Sequence, residues 1–184
     1  MEVIPTKLEG VVALEPDLNG DERGFLVESF RADTWAQAGI GVSFVQHNHS
    51  RSVRKTLRGL HFQTSPGQAK LVRCCRGEIF DVAVDLRSQS PTFGKWEGHR
   101  LDDMAHRQLF VPVGFAHGFC VLSEVADVSY LLSSLYDPET EAGISWDDPE
   151  IGVEWPVTEP LLSDRDRSAS SLAAVAGSLP FRSI

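Results

Sequence analysis

The sequence predicts an all-β fold, a sandwich or barrel, and three observations carry that reading. Short apolar or alternating runs dominate the chain. Turn residues separate them at close to the spacing of such folds. Only one stretch reads as a helix. At 184 residues, the chain is expected to form a single domain, residues 1–184, with one sizeable core.

In chain order the candidate strands are Val11–Leu14, Phe25–Phe30, Ser43–His49, Leu57–Phe62, Leu71–Cys75, Ile79–Leu86, Leu109–Val111, Gly118–Leu122 and Val128–Leu132. Each is rich in β-branched or aromatic residues, or alternates apolar with polar ones. Turns are signalled by Asn19-Gly20-Asp21, Ser65-Pro66-Gly67, Arg76-Gly77, Ser90-Pro91, Pro112-Val113-Gly114 and Asp137-Pro138. The helix is expected over Ala32–Ala38 with Asp33 as N-cap. Glu78–Leu86 reads E-I-F-D-V-A-V-D-L, so period two sets Phe80, Val82, Val84 and Leu86 on one face and Asp81, Ala83 and Asp85 on the other. The first face belongs in a hydrophobic core. The second either meets solvent or lines a cavity, where a buried carboxylate needs a partner. The tail from about residue 168, rich in Ser, Ala and Gly through Ser178, is weakly patterned and expected to be peripheral or partly disordered.

The net charge of −9 argues against a nucleic-acid or membrane-surface partner. Its distribution is uneven. Arg51, Arg54, Lys55, Arg58, Lys70, Arg73 and Arg76 lie in one segment that holds no acidic residue. A proton-transfer residue, His61, sits inside that segment, which points to an anionic substrate. No apolar run of about 18 residues is present, so no membrane-spanning helix is expected. Met1–Pro5 lacks a basic region followed by an apolar one, so no secretory leader is expected. Cys74, Cys75 and Cys120 are odd in number and form no Cys-x-x-Cys pair. They read as reduced thiols in a cytoplasmic protein rather than a disulfide framework or zinc site.

His61 and His117 both lie in strand-like runs, and Lys70, Asp81 and Tyr130 lie in or beside others. Together they favour a shared polar cavity over separate packing positions. Two chemistries fit such a cavity. Pro112-x-Gly114-x-x-His117 resembles the second motif of the cupins, small β-barrels that often bind a metal. Where their first motif offers two histidines one residue apart, this chain has His61-Phe62-Gln63, with Lys70 further along. An amide in place of an imidazole weakens a transition-metal site, and a nearby cation weakens it again. The other chemistry is metal-free proton transfer, with histidine as base, lysine holding an oxyanion and tyrosine as acid. Those three groups suffice for epimerisation next to a carbonyl without a cofactor.

Several motifs occur together along nearly the whole chain, from about Val3 to Asp166. They begin with Gly20-Asp21-Glu22-Arg23-Gly24-Phe25 and Glu28, then Phe44-Val45-Gln46 with Asn48 and Ser50. Leu57-Arg58-Gly59-Leu60-His61, Lys70-Leu71-Val72, Asp81–Arg87 and Ser90-Pro91-Thr92-Phe93-Gly94 follow. Next come Pro112–Phe119, Tyr130, Tyr136 with Pro138, Glu141, Trp146-Asp147-Asp148-Pro149, Trp155-Pro156 and Leu162–Asp166. In that order they resemble the dTDP-4-dehydrorhamnose 3,5-epimerase family.

The resemblance implies a cupin-type jelly-roll barrel with a few short helices, no metal, no cofactor and a homodimer. It implies a nucleotide-sugar substrate of the dTDP-4-keto-6-deoxyglucose type, inverted at carbons 3 and 5 in deoxysugar biosynthesis. His61 would be the base, Asp166 its orienting partner, Tyr130 the acid and Lys70 the group at the sugar ketone. His117, with Asp81 behind it, would contact the sugar or diphosphate. Arg23, Glu28, Gln46, Asn48, Arg58, Glu141 and Arg165 would bind the nucleotide sugar. Tyr136 would stack on the thymine ring with help from Phe25. The sequence departs from the family pattern at His47, Leu135 and Arg165, where aspartate, an aromatic and lysine are common. Single-carbon epimerisation, ketoisomerisation, a metal-dependent cupin or a non-catalytic sugar-nucleotide barrel are the alternatives.

Overall fold

The computed structural model describes residues 1–182. The strands are β1 Glu2–Ile4, β2 Val12–Glu15, β3 Leu18–Asp21, β4 Gly24–Val27, β5 Gln46–Val53, β6 Leu57–Gln63, β7 Lys70–Arg76, β8 Glu78–Asp85, β9 Trp96–Asp102, β10 Gln108–Val111, β11 Phe115–Val121, β12 Val125–Leu132 and β13 Glu141–Gly143. Helix α1, Ala32–Gln37, precedes β5. Helices α2, Asp164–Arg167, and α3, Leu172–Val175, follow β13, with a 3-10 turn at Ala176–Ser178.

Two antiparallel sheets make a jelly roll. One runs β1-β2-β10-β7-β12-β5 and the other β13-β6-β11-β8-β9, while β3 and β4 form a separate hairpin. All nine expected strands are present, with shifted ends. The strand expected over Phe25–Phe30 is cut to Gly24–Val27. Asp33 is not the N-cap of α1. Arg31 holds that position in extended backbone without a side-chain cap, and Asp33 lies in the first turn, where its carboxylate accepts from Arg31 Nε at 2.7 Å.

Apolar residues collect in three places because both sheets are covered on both faces. Val72, Ile79, Ala83, Leu109, Phe119 and Val128 fill the space between the sheets. Trp35, Ile40, Leu71 and Phe110 cover the outer face of the six-stranded sheet. Leu60, Val82, Val84, Ile144, Leu172 and Phe181 cover the outer face of the five-stranded one. Period two in β8 therefore holds, but both of its faces are buried. Val82 and Val84 point away from the barrel interior, and Ala83 points into it. Asp81 and Asp85 are both fully buried. Asp85 closes the strand end, accepting from Arg87 Nη2 at 2.8 Å, Ser90 Oγ at 2.6 Å and Thr92 Oγ1 at 2.7 Å. Solvent exposure of that face is thus excluded.

β6 and β11 approach closely at a pair of glycines. A Cβ on Gly59 would lie 2.6 Å from Gly118 Cα and 2.7 Å from the His117 carbonyl oxygen. Gly59 also has φ of +122°, which side-chain-bearing residues rarely adopt. A bulge between His117 and Phe119 follows from this crowding, and His61 and His117 sit directly opposite each other.

The C-terminal segment is peripheral, with most of residues 168–178 exposed, but it is ordered and pinned at a few points. Leu161 pairs with Thr56, and Ile144 with Ser170, so the segment lies along the edge of the five-stranded sheet. The buried Asp148 carboxylate accepts from the backbone N–H of Leu172 at 2.7 Å. Leu172 and Phe181 then enter the apolar layer over β6 and β8. The small residues around them carry no periodic signal, so two isolated anchors settle the outcome. Leu172→Ala is expected to destabilise the fold by about 2–5 kcal/mol, as buried leucine truncations do. An exposed leucine would cost about 0.5 kcal/mol or less in urea denaturation.

Candidate active site

A cavity of about 650 Å³ opens between the two sheets. β6 and β11 bring His61 and His117 to it from one side. β7 and β12 bring Lys70 and Tyr130 from the other. On β12 the alternation that buries Ala126 and Val128 between the sheets carries Tyr130 to the same inner face.

His61 and Asp166 are 105 residues apart in sequence and 2.5 Å apart in space, Nε2 to Oδ1. Ser163 caps α2, accepting from Asp166 N, and its hydroxyl donates to Asp166 Oδ2 at 2.8 Å. The carboxylate is thus fixed before it meets the imidazole. Burial raises the Asp166 pKa, but the His61 bond and charge and the Ser163 hydroxyl outweigh it and hold the group below the usual aspartate range. A carboxylate acceptor assigns the proton to His61 Nε2 and leaves the lone pair on Nδ1. Asp166 is 4% exposed and His61 25%, so the acid is shielded while the imidazole remains reachable.

The other histidine is differently placed. Both oxygens of Asp81 lie 3.0 Å from His117 Nε2. Asp81 is fully buried behind His117 and does not form part of the cavity wall. Burial pushes the His117 pKa down, against the pull of Asp81 and aided by the charges of Lys70 and His61. Burial therefore favours the neutral ring, with Nε2 as the donor to the Asp81 carboxylate.

Lys70 is also strongly perturbed. Burial lowers its ammonium pKa to about 8, and the carboxylates of Glu141 and Asp81 offset only part of that. Its Nζ donates to the His61 carbonyl at 3.3 Å. An ammonium so short of hydration has much to gain from an oxyanion.

The cavity mouth is polar and mostly cationic. Arg58 is exposed and donates through Nε to Ser52 Oγ at 3.0 Å, and its terminal nitrogens have no partner among the described residues. Arg165 pairs with Glu141. The Glu141 carboxylate beside Tyr136 raises the phenol pKa above its ordinary value. Gln46 and Asn48 line the wall, but their amides are engaged. Gln46 Nε2 donates to Asn48 Oδ1 at 3.0 Å, and Gln46 Oε1 accepts from the Tyr136 N–H at 2.8 Å.

The structure therefore gathers His61, Asp166, Lys70, Tyr130, His117, Gln46, Asn48, Arg58, Tyr136, Glu141 and Arg165 around one cavity. Arg23, Phe25 and Glu28 stay apart from it. They lie on or beside the β3–β4 hairpin, exposed, with Arg23 paired to Asp21 at 2.5 Å. Gln68 and Ser163 also line the cavity and escape sequence reasoning. Ser163 was findable, since a serine three residues before Asp166 is a helix-cap signal. Gln68 carries none. Among the described residues no group of three or more His, Cys, Asp or Glu is arranged to hold a metal ion.

Residues 5–174 match the sequence model of the family described as dTDP-4-dehydrorhamnose 3,5-epimerase. The chain is 54% identical over 168 residues to a dTDP-4-dehydrorhamnose 3,5-epimerase of Shigella flexneri, covering 90% of this chain and 93% of that one. It is 46% identical over 184 residues to a dTDP-4-dehydrorhamnose 3-epimerase of Streptomyces niveus, covering 98% and 89%. Its fold superimposes, with a TM-score of 0.96 and 44% identity, on the dTDP-6-deoxy-D-glucose-3,5-epimerase of Legionella pneumophila, solved in complex with dTDP-4-keto-L-rhamnose. That match covers 100% of this chain and 98% of the other.

Glu141 raises the Lys70 pKa, so its removal must lower it. In Glu141→Gln, NMR of labelled lysine is expected to find Lys70 titrating below the native value of about 8. An upward shift would show that the Glu141 carboxylate does not support the ammonium.

Proposed function

Because the chain belongs to the dTDP-4-dehydrorhamnose 3,5-epimerase family, we propose that it inverts carbons 3 and 5 of dTDP-4-keto-6-deoxyglucose, as a step of deoxysugar biosynthesis. The chain is an isomerase of the epimerase class. The observation that carries the catalytic reading is the placement of an oriented imidazole and a phenol on facing sheets with a low-pKa lysine in the same cavity.

Both inverted carbons flank one ketone, so one set of groups serves both. His61 Nδ1 removes a proton from the carbon, the C–H pair becomes the C=C bond of an enolate, and the former carbonyl π pair moves to oxygen. Lys70 stabilises that oxygen. Tyr130 returns a proton from the facing sheet, on the opposite side of the sugar, and the enolate collapses to the inverted ketone. His117, held by Asp81, contacts the sugar or diphosphate. Arg58 and Arg165 suit the diphosphate because the guanidinium fork makes bidentate, charge-assisted bonds. Gln46, Asn48 and Glu141 complete the nucleotide-sugar contacts, and Tyr136 stacks on the thymine ring. The mechanism uses no metal or organic cofactor.

We also propose that the protein works as a single jelly-roll domain, forms a homodimer and resides in the cytoplasm. Phe25 and Leu26 are 60% and 72% exposed on the β3–β4 hairpin, a large apolar surface for a free monomer. If Arg23, Phe25 and Glu28 bind substrate, they do so from a hairpin that reaches the cavity of a second copy. Burial keeps the Cys74 and Cys120 thiols protonated, with pKa values pushed up to about 12, which suits a reducing compartment. Among the described residues no helix is long and apolar enough to cross a membrane.

Turnover of dTDP-4-keto-6-deoxyglucose in deuterated water is expected to place deuterium at both carbons. Deuterium at one carbon would assign the single-carbon activity of the Streptomyces niveus relative's name. His61→Ala is expected to lower turnover by about 100- to 10,000-fold, the contribution of general acid–base catalysis. Lys70→Ala is expected to lower it by about 100- to 1,000-fold, as loss of an oxyanion donor does. Undiminished exchange in purified His61→Ala would reject the assigned base.

A further inference from the structure

Gln63 ends β6, is 2% exposed and does not line the cavity. It occupies the position where a metal-binding cupin would offer its second histidine, and the proton-transfer chemistry gives it no task. Both ends of its amide are nevertheless engaged. Oε1 accepts from Gln68 Nε2 at 3.0 Å and from the Asp137 N–H at 3.4 Å. Nε2 donates to the Leu135 carbonyl at 3.2 Å. The backbone N–H can only donate and the carbonyl can only accept, so these partners fix which way the amide points.

The two backbone partners belong to one turn, residues 134–137, which carries Tyr136. Gln68 Nε2 also donates to the Ser134 carbonyl at 3.1 Å, and Gln46 Oε1 accepts from the Tyr136 N–H. Each of the four residues of the turn thus has one backbone group bonded to a glutamine amide. Its apolar side chains supply no anchor, since Leu135 is 67% and Tyr136 49% exposed, and among its polar ones Ser134 Oγ adds a bond to the Gly67 carbonyl at 3.0 Å. A turn without apolar anchors keeps one conformation only through such bonds. An amide suits this position because it donates to one backbone group and accepts from another one residue pair away. A carboxylate would face the Leu135 carbonyl with a second oxygen.

We propose that Gln63 is a positioning residue for nucleotide recognition: with Gln68 it clamps the 134–137 turn and so sets the Tyr136 ring at the cavity mouth. This rests on the reading that Tyr136 receives the thymine ring. Gln63 touches neither the nucleotide nor the reacting sugar carbons. Its loss therefore acts on binding and leaves the chemical step alone.

The test uses the full chain, with dTDP binding followed by calorimetry alongside steady-state turnover. Gln63→Met keeps the side-chain length and removes the amide. It is expected to weaken dTDP binding and raise KM by about 3- to 10-fold, the effect of leaving one or two groups to be ordered on binding, with kcat within about 2-fold of native. Added to Tyr136→Ala, it is expected to cost nothing further. Equal losses of Gln63→Met in the presence and absence of the Tyr136 ring would overturn the proposal, as would a fall in kcat with dTDP affinity intact. Unchanged dTDP affinity in Tyr136→Ala alone would overturn the stacking role, and the proposal with it, by a result that does not involve Gln63. Should Gln63→Met fail to fold, Gln63→Asn keeps an amide but draws it back from the Leu135 carbonyl, and must give the same pattern and the same lack of effect beyond Tyr136→Ala.

Discussion

A carboxylate withdrawn from water must find a partner, and Asp166 meets that need with His61 at 2.5 Å. Much else in the molecule is arranged so that this bond can form. The imidazole needs β6 at a fixed register against β11, which the close contact of Gly59 and Gly118 sets. The aspartate needs α2 at the sheet edge, which the Leu161 and Ser170 pairings supply. Leu172 and Phe181 then hold the segment beyond it against the outer face of the same sheet. Apolar burial far from the cavity thereby helps hold the carboxylate that orients the imidazole inside it.

The same constraint operates across the whole cavity. His117 has Asp81, Arg165 has Glu141 and Gln46 has Asn48. Lys70 is the exception, donating only to a carbonyl at 3.3 Å among the described residues, and its pKa falls to about 8. An unmatched cation in the same cavity as two partnered histidines makes it receptive to negative charge that appears during a reaction. Arg58 adds a second unmatched cation at the mouth, suited to negative charge that the ligand already carries.

Much of this was legible in the sequence, and the gaps have physical causes. Nine strands announced themselves because apolar periodicity is a local property. β9, Trp96–Asp102, did not, because its Glu97 is buried by a bond to His99 and to the backbone of Lys7 and Leu8, contacts that no local pattern records. β3 is exposed throughout and reads as a loop. Asp33 resembled a cap because acidic residues favour first helical turns, yet its arginine neighbour claimed the carboxylate. Composition marked the C-terminal segment as peripheral, but not that Asp148, Leu172 and Phe181 fix it through long-range contacts. The site residues were legible as types and motifs. Their convergence was not, since only the fold brings residue 166 to residue 61. Nor does this chain alone bring Arg23, Phe25 and Glu28 to the cavity.

Gln63 shows how one position can change its task within a shared architecture. A histidine there, beside His61, would present two imidazoles to a cation. The amide cannot do so while it holds the Leu135 carbonyl and the Asp137 N–H. With His61 claimed by Asp166, His117 by Asp81 and an ammonium at Lys70, the cavity is furnished against a cation and for an anion. The amide at this position thus ties the end of β6 to the 134–137 segment that carries Tyr136 to the cavity mouth.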